Sequence, residues 1–498
     1  MKYWDYLDKV RACWMGKNIG GTLGAPFECK RGAFDLTFYT HDVEKEGILP
    51  NDDLDLQLVW LNAAEKYGTN VDSEILSTYW LTGVDAYWSE YAAGMNNLAF
   101  GILPPASGAH ENPFGESCGC FIRSEIWACL APGHPEIAVK YAYEDAIIDH
   151  SKEGVWSEVF CAALQSAAFV ESDPDKLIDI ALSYIPEECG IKTAIDVVRN
   201  AYKEGVDWKE ARKRVLNTVP CTFGVRYENN EPELKVGSLG YDAPANIGLM
   251  ILGWIYGEND FSKSICIAAG CGEDADCTAG TLGATFGIIN GTKSIDKKWT
   301  DPIGDEIKTV ACNRASTFVR IPGNINDLTN RVSKAMLAFM KDYIEISEDG
   351  TMDILPSDEL NQKIWFSGWL ERTPECWYVK NTDVIAKSTN SIYDICVCAD
   401  DLYFEENSKK ELKIRYVNKT GRLLWSNIKL TYKNDFGEII ERNYSFRPNE
   451  YTLGSSISEK TISLPIGEYT DDRLDLELVI SANEYPSKVY IPLVLLKK

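Results

Sequence analysis

The strongest constraint on this chain is a change of apolar period part-way along it. From about residue 3 to 345 apolar side chains recur at helical spacing: Leu54, Leu58 and Leu61 share one face, as do Ile137, Tyr141 and Ile148. The stretches 156–170, 176–184, 190–204, 244–257 and 261–270 follow the same pattern. After about residue 346 the period falls to two. Ile395 and Val397, then Leu412, Ile414 and Tyr416, then Ile428, Leu430 and Tyr432 alternate with other residues. Asn434-Asp435-Phe436-Gly437 supplies a turn before the run Ile439 to Tyr444, and further strands fit 460–464, 474–481 and 488–496. A chain of 498 residues also exceeds what one hydrophobic core usually organises. The expected fold is therefore multi-domain: an all-α helical bundle over residues 1–345, a linker or packed extension over 346–392 containing Trp365, Trp369 and Trp377, and an all-β sandwich over 393–498.

Charge narrows the partners. A formal net charge of −25 with no basic stripe argues against nucleic acid, because a polyanion would be repelled. Acidity of this kind ordinarily serves solubility, and part of it can serve divalent cations. The 15 cysteines have no repeating spacing. Cys118-Gly-Cys120 and Cys396-Val-Cys398 are the close pairs, and neither has the spacing of a zinc site, so free thiols in a reducing compartment are expected. The N-terminus Met1-Lys2-Tyr3-Trp4-Asp5 lacks an apolar leader core, and no stretch approaches a membrane span. The expectation is a cytoplasmic chain with no membrane partner, unless an export segment has been removed.

Three stretches can carry chemistry. Pro50-Asn51-Asp52-Asp53-Leu54-Asp55 opens a predicted helix. Asn caps helices and acids suit the positive end of the helix dipole, but one cap needs one acceptor and this run offers four carboxyl or amide groups. Gly270-Cys271-Gly272-Glu273-Asp274-Ala275-Asp276-Cys277-Thr278 precedes the small-residue run 279–287. It is not an EF-hand beginning at Asp274, whose sixth position would be Ala279 and twelfth Thr285. Gly16 to Glu28 follows a helical stretch and lacks Gly-Lys-Ser/Thr, so it fits neither a dinucleotide fingerprint nor a P-loop. Its glycines suit tight helix packing, and Pro26 leaves Glu28 on the loop beyond. Hard oxygen donors favour Mg²⁺, Mn²⁺ or Ca²⁺ over zinc, and with four histidines (41, 110, 134 and 150) a His-rich metal site is not expected.

These stretches resemble, in order along the chain, the three signature blocks of the ADP-ribosylglycohydrolase family. That family includes the bacterial hydrolase that reactivates dinitrogenase reductase and the eukaryotic ADP-ribosyl-acceptor hydrolases. Gly20 to Glu28 is similar to its Gly-Asp-Ala-Leu-Gly-Ala-Pro-x-Glu, Asn51-Asp52-Asp53 to its Thr-Asp-Asp, and Gly272 to Gly287 to its Gly-Gly-Asp-Ala-Asp-Thr block. Between them, Gly119-Cys120-Phe121-Ile122-Arg123 is similar to its Gly-Ala-Ala-Met-Arg loop, and Asp145 to His150 to its segment ending in Thr-His. The resemblance covers about residues 8 to 340. It implies an all-α bundle with two Mg²⁺ ions, metal ligation by Asn51, Asp52, Asp53, Asp274, Asp276, Cys277 and Thr278, catalytic roles for Glu28, Asp53 and Asp274, and substrate contacts from Gly115, Ser117, Gly119 and His150.

The departures matter as much. Gly21 stands where the family has Asp, Asn51 where it has Thr, and Cys277 where it has a Thr that ligates metal, with Thr278 one residue later. Leu54-Asp55 replaces Thr-Gln. The carboxylates are kept while much of their hydroxyl shell is not. The activity the resemblance implies is Mg²⁺-dependent cleavage of a ribosyl C1–N or C1–O bond, in protein-attached or free ADP-ribose derivatives. Hydrolysis of a different glycoside, or binding of ADP-ribose and metal without catalysis, are the alternatives. The β-sandwich is a candidate for self-association or glycan contact.

Overall fold

In the computed structural model the first helix, Tyr3–Gly24, meets the helix Ala275–Asn290 along a seam of residues too small to hold the backbones apart. A Cβ added at Gly16 would lie 2.0 Å from the Gly283 carbonyl oxygen, one at Gly20 2.0 Å from that of Ala279, and one at Gly24 2.3 Å from that of Ala275. One side chain at any of these positions would force the backbones apart. The matching runs in opposite directions, so the two helices are antiparallel. The C-terminal end of one and the N-terminal end of the other therefore lie together, which brings the loop after Gly24 to Asp274.

The structure describes residues 1–219, 228–229, 231, 234, 241–312, 319–361, 384–390, 392–418, 425–434, 436–446, 457–483 and 485–498. Trp365, Trp369, Trp377 and Asp435, noted above, lie outside them. The chain forms two compact units, Met1–Trp369 and Leu370–Lys498.

The first unit is a helical bundle around one large apolar core that includes Trp14, Trp60, Trp80, Trp127, Trp254 and Trp299. The expected helices appear as Glu153–Ala167, Pro174–Leu182, Gly190–Lys203, Ala243–Tyr256 and Phe261–Gly270. Each end of the acidic helix Asp52–Tyr67 has a physical cause. The Asn51 side chain accepts a 2.7 Å hydrogen bond from the Asp53 amide, and Gly68 stops the helix with φ 55°. Short strands also occur in this unit. Lys30–Arg31 pairs antiparallel with Gly272–Glu273 and parallel with Glu228–Asn229, and Ile344–Ile346 forms a hairpin with Met352–Ile354. The hairpin is tied to the chain start, where the Met1 ammonium donates to the Ile354 carbonyl at 2.7 Å. No helix of the described residues is long and apolar enough to cross a membrane.

The second unit consists of two β-sheets. One has five strands, in the order Ile439–Phe446, Ser426–Lys433, Arg473–Ala482, Lys488–Lys497 and Tyr403–Phe404; the other has four, Ile457–Pro465, Lys409–Asn418, Tyr393–Cys398 and Val384–Thr389. The period-two residues account for its core. Ile395, Val397, Leu412, Ile414, Tyr416, Ile428 and Leu430 are buried between the sheets with Leu478, Ile480 and Leu495. The run Ile439 to Tyr444 occupies a sheet edge, where Ile439 is exposed.

Candidate functional site

Three loops converge because of the glycine seam and the small sheet beside it. After Gly24 a short turn, Ala25–Phe27, leads to Glu28, and Cys29, in the left-handed region at φ 65°, donates its amide to the Glu273 carbonyl at 2.9 Å. Arg31 then pairs with Glu273 through Nε to Oε1 at 2.8 Å and Nη2 to Oε2 at 3.0 Å, both side chains buried. The Glu28 loop and the Asp274 loop are thereby locked together. Asp274 takes a 3.3 Å contact from its own amide to the Asn246 side chain, while Asp276 sits in the first turn of Ala275–Asn290.

Around the meeting point lies a pocket of about 490 Å³ lined by Glu28, Asn51, Asp52, Asp274, Asp276 and Cys277, with Trp88, Glu90, Tyr91, Cys118, Gly119 and Tyr241 completing it. Asp53 lies just behind, almost fully buried, its Oδ2 3.2 Å from Lys17 Nζ. Oxygen or sulfur atoms of Glu28, Asp274 and Asp276, of Asp53, Asp276 and Cys277, and of Cys118, Asp274 and Cys277 lie within 4.8 Å of one another in each set. A larger hollow of about 790 Å³, at Phe34, Tyr202, Trp208 and Tyr256, shares no residue with these acids and offers no comparable cluster.

Neutral donors meet the carboxylates one by one. The Asn51 amide donates to Asp276 Oδ2 at 3.1 Å, the Cys277 thiol to Asp53 Oδ1 at 3.3 Å, the Cys118 thiol to Asp274 Oδ2 at 2.7 Å and the Tyr91 hydroxyl to Asp52 Oδ2 at 3.3 Å. Tyr241 donates to Glu28 Oε1 at 3.5 Å. Two of the sequence departures prove to be one device. A Cβ at Gly21 would lie 2.6 Å from Asn51 Nδ2, so the amide at 51 occupies room that a side chain at 21 would take.

Burial and mutual repulsion raise the affinity of these acids for protons. Burial, then Asp53 and Asp274, push Asp52 up to about 8. Glu28 is exposed at the pocket rim, yet the protein packed around its carboxyl and the charges of Asp274, Asp52 and Asp53 push it up to about 8 as well. Asp276 is raised by burial, then by Glu28 and Asp274, and Asp274 by burial, then by Asp53. Among the described residues no basic side chain pairs with any of these four, and Asp276 Oδ1 is buried without a hydrogen-bond donor. A divalent cation fits such a set: it would take the orphaned oxygen and remove the repulsion that raises the carboxyls.

The remaining residues expected at the site are placed as follows. The Thr278 hydroxyl is turned into the core and donates to the Ala275 and Ala268 carbonyls at 3.1 and 3.4 Å, two residues beyond Asp276 on the same helix. Asp55 is likewise turned away, its Oδ2 accepting from the Val310 and Ala311 amides at 2.6 and 2.5 Å. Gly119 lines the pocket, whereas Gly115, Ser117 and His150 do not. The buried Ser117 hydroxyl and His150 Nε2 lie 2.9 Å apart, behind Glu90, and Gly115 accepts from the Ser151 amide at 2.7 Å. The pocket residues not anticipated are Trp88, Glu90, Tyr91, Cys118 and Tyr241. The one available signal was Trp88-Ser89-Glu90-Tyr91, an acid between aromatics at a helix start. Burial, opposed in part by Ser117 and Arg123, pushes Glu90 up to about 8.

The family model described as ADP-ribosylglycohydrolase matches residues 4–328, which include every pocket residue named above. The chain belongs to the ADP-ribosylglycohydrolase family. Curated proteins include no match to it. Among solved structures it is similar to the Pseudomonas fluorescens alkylpurine DNA glycosylase AlkC bound to DNA containing an abasic site analog, at 10% identity over 68% of this chain and 98% of that one, with a TM-score of 0.16 that carries no argument. The Cys277 thiol and the Asn51 amide beside its carboxylates set this ADP-ribosylglycohydrolase family member's pocket apart from the block pattern.

Proposed function

We propose that the chain is a divalent-cation-dependent glycosidic hydrolase that cleaves a ribosyl C1–N or C1–O bond, with ADP-ribose attached to protein or to a small molecule as substrate and Mg²⁺ as the cation. The observation that carries this reading is the facing of Glu28, Asp52, Asp274 and Asp276 across one pocket, with a buried Asp276 oxygen left without a donor. Glu28, Asp52, Asp53, Asp274 and Asp276 would hold the metal. When bound, Mg²⁺ supplies charge neutralisation and coordination positions open to ribose hydroxyls and water.

The chain's own groups account for the rest. Glu28 stands at the rim where a leaving group and its proton would pass, and its raised affinity for a proton suits an acid/base role. Tyr241 and Cys29 fix that carboxyl; the Cys29 sulfur lies 2.8 Å from the Tyr241 oxygen. Tyr91 orients Asp52. Trp88, 46% exposed beside the acids, offers a flat face for a sugar or base. Carboxylates around the pocket would stabilise the oxocarbenium character of the transition state.

The deciding experiment incubates the protein and Mg²⁺ with ADP-ribosylated arginine and serine peptides, nucleosides and oligosaccharides. Release of ADP-ribose, lost on chelation, is the expected result. Turnover confined to other glycosides would reassign the substrate, and tight ADP-ribose binding without turnover of any glycoside would make the chain a binding protein.

A further inference from the structure

The thiols beside the carboxylates divide the pocket chemically. Cys118 and Cys277 are far apart in sequence and belong to no zinc-like spacing, yet both are nearly fully buried beside Asp274. Their sulfurs and an Asp274 oxygen lie within 4.8 Å of one another. The three side chains are grouped closely enough to hold one metal ion, whose bonds to thiolate sulfur are about 2.3 Å long. The neighbouring set, Glu28, Asp274 and Asp276, is all oxygen. Asp274 belongs to both sets. Thiolates are poor ligands for magnesium and good ones for zinc, whereas an all-carboxylate set favours hard cations. The buried Asp276 Oδ1 without a donor, in a residue that is also grouped with Cys277 and Asp53, points to a cation in this pocket.

We propose that the pocket holds two unlike cations, a hard one at Glu28–Asp274–Asp276 and a thiophilic one, Zn²⁺, bound by the Cys118 and Cys277 sulfurs and Asp274. The proposal builds on the carboxylate pocket of the functional reading but does not require hydrolysis. In the cation-free protein the two thiols spend their protons on Asp274 and Asp53. On binding, each S–H bond breaks, its proton passes to solvent and an S–Zn bond forms, with no change in oxidation state. Asp53 or a water can complete a tetrahedron. A hydroxyl at position 277 would leave one sulfur, that of Cys118, beside Asp274. Cys277 therefore supplies the second thiolate that makes the site thiophilic.

The test titrates the reduced full-length protein with Co²⁺ as a spectroscopic stand-in for zinc, then displaces it with Zn²⁺. Thiolate-to-cobalt charge-transfer bands are expected for the wild type. They should be lost or weakened at least about 100-fold in affinity in Cys118→Ser and in Cys277→Ser, and kept in Glu28→Gln. Far-UV circular dichroism checks that each variant is folded. A second readout needs no variant: Zn²⁺ binding to the wild type should release about two protons per ion into weak buffer. Absence of the bands in the wild type, or their persistence in the double serine variant, would overturn the proposal. Bands as expected in a protein that hydrolyses nothing would sink the hydrolase reading and leave the metal site standing. Mg²⁺-dependent hydrolysis without the bands would do the reverse.

Discussion

Two buried acidic clusters in the helical unit differ in one respect. Around Arg123, Asp145 and Asp149 lie 2.9 and 2.5 Å from guanidinium nitrogens and Glu158 3.7 Å away, all fully buried. His150 adds Nδ1 at 2.9 Å from Asp149. Burial by itself would raise Asp149, but Arg123 and His150 outweigh it and hold the carboxyl below its usual range. Around Asp274 the acids are as crowded, and among the described residues Lys17 pairs with Asp53 behind them and compensates one charge. Asp52 and Asp276 rise where Asp149 falls, although burial also raises Asp145, to about 6, and Glu158. A cluster that carries its own cation has part of its charge compensated by folding. One that lacks it has room for a cation from outside.

The contrast can be broken at either cluster. The largest expected effect is at the pocket. Asp274→Ala or Asp52→Ala should abolish Mg²⁺ binding, and should lower any hydrolysis on the order of 10⁴-fold or more, by calorimetry and ADP-ribose release. Tight Mg²⁺ binding retained in both variants would mean the pocket is not the metal centre. At the other cluster, Arg123→Met strands three buried carboxyls and should cost about 3–5 kcal/mol in denaturant unfolding, with no rescue by Mg²⁺. Rescue would show that the two clusters are not distinct.

Next is the glycine seam on which the pocket depends. Gly20→Ala places a methyl 2.0 Å from the Ala279 carbonyl oxygen. It should cost about 1–3 kcal/mol and weaken cation binding by moving Glu28 away from Asp276. An unchanged cation affinity in a destabilised variant would uncouple the seam from the site.

The smallest effect expected is on pH. Glu28 and Asp52, each pushed up to about 8 in the cation-free protein, bind protons more tightly folded than unfolded, where carboxyls titrate at about 4. Their contribution to stability is therefore lost as pH rises from about 4 to about 8. Melting temperature in chelator should fall over the upper part of that range, and saturating Mg²⁺ should flatten the fall by a few degrees. Identical profiles with and without the cation would remove the distinction between the clusters.

Much of this was legible before any coordinates. The helical period, the period-two alternation after about residue 346, the capped start at Asn51 and the tight packing of Gly16 to Gly24 are local or one-dimensional patterns, and the folded chain carries each of them. The direction of the Thr278 hydroxyl was not legible from its place one residue along, since 3.6 residues per turn sends it into the core. Cys118 and Tyr241 could not be read, since each reaches the pocket only through contacts between segments distant in the chain, and Trp88, Glu90 and Tyr91 left no more than an acid between aromatics at a helix start.

The sequence by itself determined that acids stand at two helix starts beside a glycine-rich helix, because capping preference and residue size act over a few positions. Tertiary structure alone decided that these ends meet, because the antiparallel seam between Tyr3–Gly24 and Ala275–Asn290 sets which ends touch. It also decided which acids find a cation within the protein. Asp149 does, and among the described residues Asp276 does not.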